Sequence, residues 1–163
     1  MKAAVVCGLP ASGKTYFAEY LAPLLNAKHI SSDVIRSALR MRGKYDLVSK
    51  KLIYDEMLRQ LESACNDQKN VVLDATFYKK DIRKIFMEFA RKHDCELKFI
   101  EIRASDDTIE KRMKKKRKYS EADFEVYELI KQEYEEMDFD RLVLYSDREK
   151  LKDMLEKSLE YLE

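Results

Sequence analysis

One eight-residue segment near the start, Gly8-Leu9-Pro10-Ala11-Ser12-Gly13-Lys14-Thr15, constrains this chain more than any other feature. It follows the apolar run Ala3-Ala4-Val5-Val6-Cys7 and precedes Phe17, Leu21, Leu24 and Leu25 at helical spacing. A short apolar run without polar alternation reads as a strand buried on both faces, and such a strand needs a parallel sheet with helices above and below it. The segment fits G-x-x-x-x-G-K-[ST] in the strand-loop-helix context that this pattern requires. Two of the chain's three glycines, Gly8 and Gly13, fall inside it, so its backbone freedom is concentrated where the pattern wants it.

The alternation continues along the 163 residues. A strand is expected over 29–32, with Asp33 as the N-cap of a helix, and a longer helix over about 46–67 carries Ile53, Met57, Leu61 and Ala64 on one stripe. Val71-Val72-Leu73 reads as another buried strand, followed by a helix with Ile82, Ile85, Phe86 and Phe89 on its inner face. A strand over 97–102, helices from about 105 and over about 121–137, a strand over 142–145 and a final helix over about 147–162 complete the pattern. Strands alternating with helices mean an α/β sandwich around a parallel sheet. With no linker and no repeat, a single domain over 1–163 is expected.

Composition excludes several classes. With 45% hydrophobic and 39% charged residues and a net charge of +1, the chain is an ordinary globular one, and any basic patch must be local. Cys7, Cys65 and Cys95 are odd in number and far apart, so reduced buried thiols are expected, with no disulfide and no zinc site. No apolar run approaches the length of a membrane span, and too little precedes Gly8 for a signal peptide, so no membrane association and a cytoplasmic location are expected.

The chemistry follows from residue types. Glycines let the backbone of residues 8–15 curl so that N–H groups face phosphate oxygens, and the helix start adds its positive dipole end. Lys14 supplies a cation for the β and γ phosphates, and Thr15 a hydroxyl for Mg²⁺, so ATP or GTP with Mg²⁺ is the expected ligand. Asp33 follows the second strand, where a carboxylate can accept the proton of an attacking hydroxyl; a plain helix cap is the alternative. Arg36, one turn on, projects to the same side and suits an anionic acceptor, or else is a solvated helix arginine. Asp74 ends an apolar strand where a carboxylate reaches the metal through water or orients Thr15, and Thr76 lies just beyond, placed to touch acceptor or phosphate or else a plain turn threonine. From Lys111 to Lys118 seven of eight residues are basic, while Tyr119 to Asp140 hold nine acidic residues and one basic. Either these are complementary helix faces, or the basic stretch is a lid whose Arg112 and Arg117 close over the triphosphate. His29 and His93 are isolated and read as structural or solvated.

The succession G-L-P-A-S-G-K-T, S-S-D-V-I-R, V-V-L-D-A-T-F with Arg83 after it, and a basic segment before a Tyr-rich helix resembles the small P-loop kinases, of AAA type, grouped with polynucleotide 5′-hydroxyl kinase, zeta-toxin-like kinases and seryl-tRNA kinases. The resemblance spans essentially the whole chain. It implies an α/β P-loop NTPase three-layer sandwich, a five-stranded parallel sheet flanked by helices, with a helical lid at about 111–137. It also implies Asp33 as general base, Arg36 on the acceptor phosphate, a lid arginine at Arg112 in contact with ATP, and the adenine near Ser146. Phe77 departs from the Asn that commonly follows D-x-T in this group. Four positions beyond Arg112 stands Lys116, with Arg117 one further, so the second lid contact has two candidates. The resulting expectation is a kinase transferring the γ-phosphate of ATP to a hydroxyl, first a nucleic-acid 5′ end. The alternatives are a small molecule such as a nucleoside, sugar or antibiotic, an aminoacyl-tRNA, or a non-catalytic ATP-binding module that signals to a partner.

Overall fold

A computed structural model describes residues 1–115 and 124–163. The opening apolar run forms strand β1 (Lys2–Cys7), buried from Ala3 onward, and the glycine-containing loop leads directly into helix α1 (Lys14–Leu24). Four further strands follow: β2 (Lys28–Ser31), β3 (Val71–Asp74), β4 (Glu96–Arg103) and β5 (Leu142–Tyr145). All pair in parallel in the order β2-β3-β1-β4-β5, so β1 is central and the chain reverses its direction of growth beside it. A crevice opens beyond the strand ends at such a point.

Successive strand side chains point to opposite faces, and this alternation builds two cores. Ala3, Val5, Val71, Leu73 and Phe99 meet Ile53, Met57 and Leu61 of α3 (Leu47–Asn66) and Phe86 of α4 (Lys80–Lys92). Ala4, Val6, Val72, Ile100 and Ile102 meet Phe17 and Leu21 of α1 and Met154 and Leu162 of α7 (Leu151–Leu162). Each fully buried Leu, Ile or Phe contributes roughly 1.5–3 kcal/mol, which fixes the helices on the faces from which they approach the crevice. Short helices α2 (Ser32–Ala38), α5 (Asp106–Met113) and α6 (Phe124–Gln132) lie at the strand ends. Among the described residues no helix is long and apolar enough to cross a membrane. Cys7, Cys65 and Cys95 are free and buried, and burial raises all three thiol pKa values, Cys95 to about 11.

Four local expectations are corrected. The residue capping α2 is Ser31, and Asp33 sits inside the first turn, where its negative charge favours the helix start. On α4 Ile82, Phe86 and Phe89 pack against the core as expected, but Ile85 is exposed, and Arg83 and Ala90 complete the buried stripe. The last helix begins at Leu151 rather than 147, because Asp147 accepts from Ser105 N at 2.8 Å and Glu149 from Tyr145 N at 2.6 Å, holding the intervening turn outside the helix. The helix expected over 121–137 ends at Gln132. Residues 134–136 instead serve as loop: Arg83 donates to Glu135 O at 2.7 Å and Glu136 O at 3.3 Å, and Glu135 N donates to Tyr78 O at 2.9 Å.

Candidate active site

Three residues of the loop after β1 have positive φ: Gly8 at 147°, Ala11 at 61° and Gly13 at 100°. At Gly8 a Cβ would lie 2.3 Å from Ile102 O, so no larger residue fits without moving β4 backbone. Gly13 caps α1 in the left-handed region, which leaves the first N–H groups of that helix facing the crevice. Ala11 adopts the same region with a side chain, a strained conformation of the kind that clusters at ligand sites. Lys14 is only 8% exposed, and its Nζ donates to Leu9 O at 3.3 Å; no carboxylate among the described residues pairs with it.

Next to this loop lies a cleft of about 540 Å³ bounded by Gly13, Lys14, Thr15, Arg112, Ser146 and Met154. Arg112 forms its wall in an unexpected way. Its Nη1 donates to Ala11 O at 3.1 Å, Ser12 O at 3.0 Å and Ser146 Oγ at 2.9 Å, so the guanidinium is tied to the carbonyl side of the loop. Ser146 Oγ also donates to Ser12 O, which joins the turn after β5 to the loop after β1. Lys116 and Arg117, the candidates for a second lid contact, lie outside the described residues.

A second, smaller cavity of about 50 Å³ adjoins the cleft and brings together Asp33, Arg36 and Thr76 with Lys14, as their spacing implied. Among the described residues, Lys14 and Asp33 alone line both spaces. Arg36 is buried, donates to Lys44 O, and stacks its guanidinium 4.6 Å from the centre of the Tyr45 ring. Tyr54 Oη lies 3.3 Å from Thr76 Oγ1 and accepts from Phe77 N at 3.1 Å, which sets the turn after β3; burial raises this phenol to about 12. Phe77 itself, at φ 48°, turns into the core against Tyr54, Phe86 and Phe99 rather than into the cavity. The sequence reading missed Tyr45, Lys50, Tyr54 and Tyr78 as lining residues; the only signal was that tyrosines recur beside Lys44, Lys50 and Lys79.

Asp74 is 1% exposed, and neither carboxylate oxygen accepts a hydrogen bond among the described residues. It alternates with Leu73 and so shares the face of Val72 and α1. His29 is less isolated than its sequence position suggests: its Nε2 lies 3.4 Å from Asp74 Oδ2. A buried carboxylate without hydrogen-bond donors on the helix side that carries Thr15 fits a hard cation with oxygen ligands such as Mg²⁺. No cluster of three or more His, Cys, Asp or Glu residues suits a protein-only metal cage among the described residues.

A family model described as an AAA domain matches residues 4–137. Among solved structures, a sugar kinase from a Janibacter species is similar at 15% identity, with 99% of this chain and 94% of that chain covered and a TM-score of 0.76. The Mycobacterium tuberculosis APS kinase CysC in complex with AMPPNP and APS gives 15%, 99%, 96% and 0.75 for the same quantities. Chaetomium thermophilum Kti12 in complex with ADP-AlF3 gives 20%, 99%, 99% and 0.72. At these identities the likeness is one of fold, a P-loop α/β sandwich with a five-stranded parallel sheet.

Proposed function

The chain belongs to the AAA domain family, and on that premise we propose that it is a kinase transferring the γ-phosphate of ATP to a hydroxyl acceptor. The observation that carries the reading is that Lys14 and Asp33 are the two residues common to the large cleft and the small cavity. A donor in one space and an acceptor in the other would meet at a cation and a carboxylate.

The N–H groups of residues 8–15 and the start of α1 hold the phosphates, and Lys14 balances charge on the β and γ groups. The acceptor oxygen forms a bond to the γ-phosphorus as the bond to the β–γ bridging oxygen breaks. The hydroxyl proton passes to Asp33, and ADP leaves. Thr15 and Asp74 would hold Mg²⁺, directly or through water, and the ion supplies charge neutralisation across the phosphates when bound. Arg112, fixed to Ser12 O and Ser146, forms the wall on the nucleotide side, with the adenine beside Ser146.

For the acceptor, exposed Arg40, Arg42 and Lys44 on the segment joining α2 to α3, with exposed Lys51 at the start of α3, follow Arg36 in the chain, and this run of positive charge favours a polyanion, first a nucleic-acid 5′ end. A small anionic molecule is the second reading. It draws support from the small volume of the cavity and from the sugar kinase and the APS kinase that share the fold.

The test is transfer of labelled γ-phosphate, with Mg²⁺, to 5′-hydroxyl RNA and DNA, beside a 5′-phosphorylated control and a panel of sugars and nucleosides. Label on the 5′-hydroxyl strand alone, lost in Asp33→Asn, supports the first reading, and label on a small molecule the second. Confirmed ATP binding with no transfer to any acceptor would overturn the kinase reading in favour of a non-catalytic module.

A further inference from the structure

Thr76 lines the small cavity together with Asp33, and the turn that carries it adopts a backbone conformation that side chains seldom take. Phe77, the next residue, sits at φ 48°, in the left-handed region. Two hydrogen bonds fasten the backbone here: Phe77 N donates to Tyr54 Oη at 3.1 Å, and Thr76 O accepts from Gly8 N at 3.4 Å. Tyr54, on α3, therefore holds the turn from the helix layer, and its ring meets Phe77 edge-on at 5.4 Å and Phe86 at 6.2 Å.

The same phenol decides which way the Thr76 hydroxyl points. Tyr54 Oη and Thr76 Oγ1 are 3.3 Å apart, and either oxygen could donate. The Phe77 N–H already uses Tyr54 Oη as an acceptor, and Thr76 Oγ1 is the other group hydrogen-bonded to it, so the phenol hydrogen goes to Thr76. A phenol is also the more acidic hydroxyl and the better donor, and an aliphatic hydroxyl oxygen the better acceptor. Burial pushes the Tyr54 pKa up to about 12, which keeps that hydrogen in place at neutral pH. The hydrogen of Thr76 is then left without a protein acceptor among the described residues, on a residue that lines the cavity.

We propose that Tyr54 is a positioning residue for the transfer step: it makes the Thr76 hydroxyl a fixed donor that grips the acceptor oxygen while Asp33 takes that oxygen's proton. This deepens the kinase reading and rests on it. An attacking hydroxyl oxygen has two lone pairs and one hydrogen. The hydrogen bond from Thr76 occupies one lone pair, the hydrogen points to Asp33, and the second lone pair faces the γ-phosphorus. As that lone pair forms the new O–P bond and the bond to the bridging oxygen of ADP breaks, the proton passes to Asp33 and Thr76 keeps its own. Without the Tyr54 hydroxyl, Thr76 Oγ1 rotates freely and can accept the acceptor's hydrogen, a bond that turns the nucleophile away from Asp33.

The first arm of the test needs no acceptor. In protein saturated with Mg²⁺ and AMPPNP, amide exchange at Phe77 followed by NMR should speed up at least about tenfold in Tyr54→Phe and stay within about threefold in Thr76→Val, with AMPPNP affinity unchanged in both. An unchanged Phe77 rate in Tyr54→Phe would overturn the proposal. The second arm is a double-mutant cycle on kcat for transfer of labelled γ-phosphate to whichever 5′-hydroxyl oligonucleotide, nucleoside or sugar accepts it. Thr76→Val and Tyr54→Phe should each lower kcat about tenfold, the worth of one neutral hydrogen bond, with KM for ATP unchanged. The double variant should fall no further than either single one, and Thr76→Ser, which keeps the hydroxyl, should stay within about threefold of the parent. Tyr54→Phe strands the Phe77 N–H and should lower Tm by a few degrees, so kcat is compared well below every Tm. Equal losses from Tyr54→Phe with and without Thr76→Val would make Tyr54 merely structural, and full kcat in Thr76→Val would remove Thr76 from the step; either overturns the proposal. Absence of transfer by the parent protein to every acceptor would instead strike the kinase reading, and this role with it, so the two failures are distinct.

Discussion

Two buried carboxylates flank the central strand at its carboxyl end, Asp74 on β3 and Glu101 on β4, and they have opposite surroundings. Glu101 accepts from Arg103 at 3.0 Å, from Arg141 at 2.8 Å and from Tyr134 Oη at 2.7 Å. Asp74 has only His29 at 3.4 Å and accepts no hydrogen bond among the described residues. The same division holds for the buried arginines. Arg83 joins three backbone carbonyls with its two terminal nitrogens, whereas Arg36 lines a cavity and donates to one carbonyl. Glu101 is saturated with hydrogen bonds even though it lines a cavity with Arg103 and Tyr134, whereas Asp74 is enclosed and Arg36 faces the small cavity with donors to spare. Unsatisfied burial costs stability, and although Arg83 Nε and Asp147 Oδ1 also lack partners, Asp74 is the one residue with both carboxylate oxygens in that state among the described residues.

The largest effect should come from Asp33→Asn. Turnover should fall by about 10² to 10⁴, the usual worth of general-base catalysis, while Tm holds within about 2 °C and ATP affinity is nearly unchanged by calorimetry. A large fall in Tm would break the comparison by making Asp33 a structural residue. Glu101→Ala should do the reverse: a loss of about 3 kcal/mol in urea unfolding, from stranding its partners, with nucleotide affinity retained by the folded fraction.

A pH series sharpens this contrast. Burial alone would raise the Glu101 pKa, but hydrogen bonds from Arg103, Arg141 and Tyr134 outweigh it and hold the carboxyl below its ordinary value of 4.5. A carboxyl with a depressed folded pKa stabilises the protein above that ordinary value and loses the contribution as pH falls through the folded pKa. Stability should therefore decline below about pH 4.5, and Glu101→Gln should flatten that decline; an unchanged acid limb would place its origin elsewhere. The smallest effect is the most diagnostic. Asp74→Asn, which removes a buried charge that lacks donors, should raise the Tm of the ligand-free protein by about 2–4 °C, or about 1 kcal/mol, and weaken Mg²⁺-dependent nucleotide binding. A lower Tm would mean that Asp74 is held by the fold as firmly as Glu101 is.

What could be read in the sequence was what is local. The strand, the glycine loop and the start of α1 are contiguous, and Asp33 and Arg36 are one helical turn apart, so spacing alone placed them. Thr76 was legible because it directly follows the strand end at Asp74. The walls of the small cavity were not, because Tyr45 and Lys50 on one segment and Tyr78 on another come together only in the folded chain. The ties to Glu101 from Tyr134 and Arg141 span 33 and 40 residues, which no periodicity encodes. Arg83 misled the apolar-stripe reading of α4 for a physical reason: the carbonyls of Phe77, Glu135 and Glu136 needed a donor more than the core needed Ile85.

The base of the excursion between β4 and β5 is fastened at two points. Arg83 holds the carbonyls of Glu135 and Glu136, and Asp106 at the start of α5 accepts from Tyr127 Oη at 2.6 Å and from Lys131 Nζ at 2.7 Å on α6. The Asp106 carboxylate therefore clamps α5 and α6 together, and α5 also carries Arg112, whose guanidinium reaches Ala11 O and Ser12 O. A cut made at this clamp should be felt at the loop after β1, because the same short helix holds both ends of the connection.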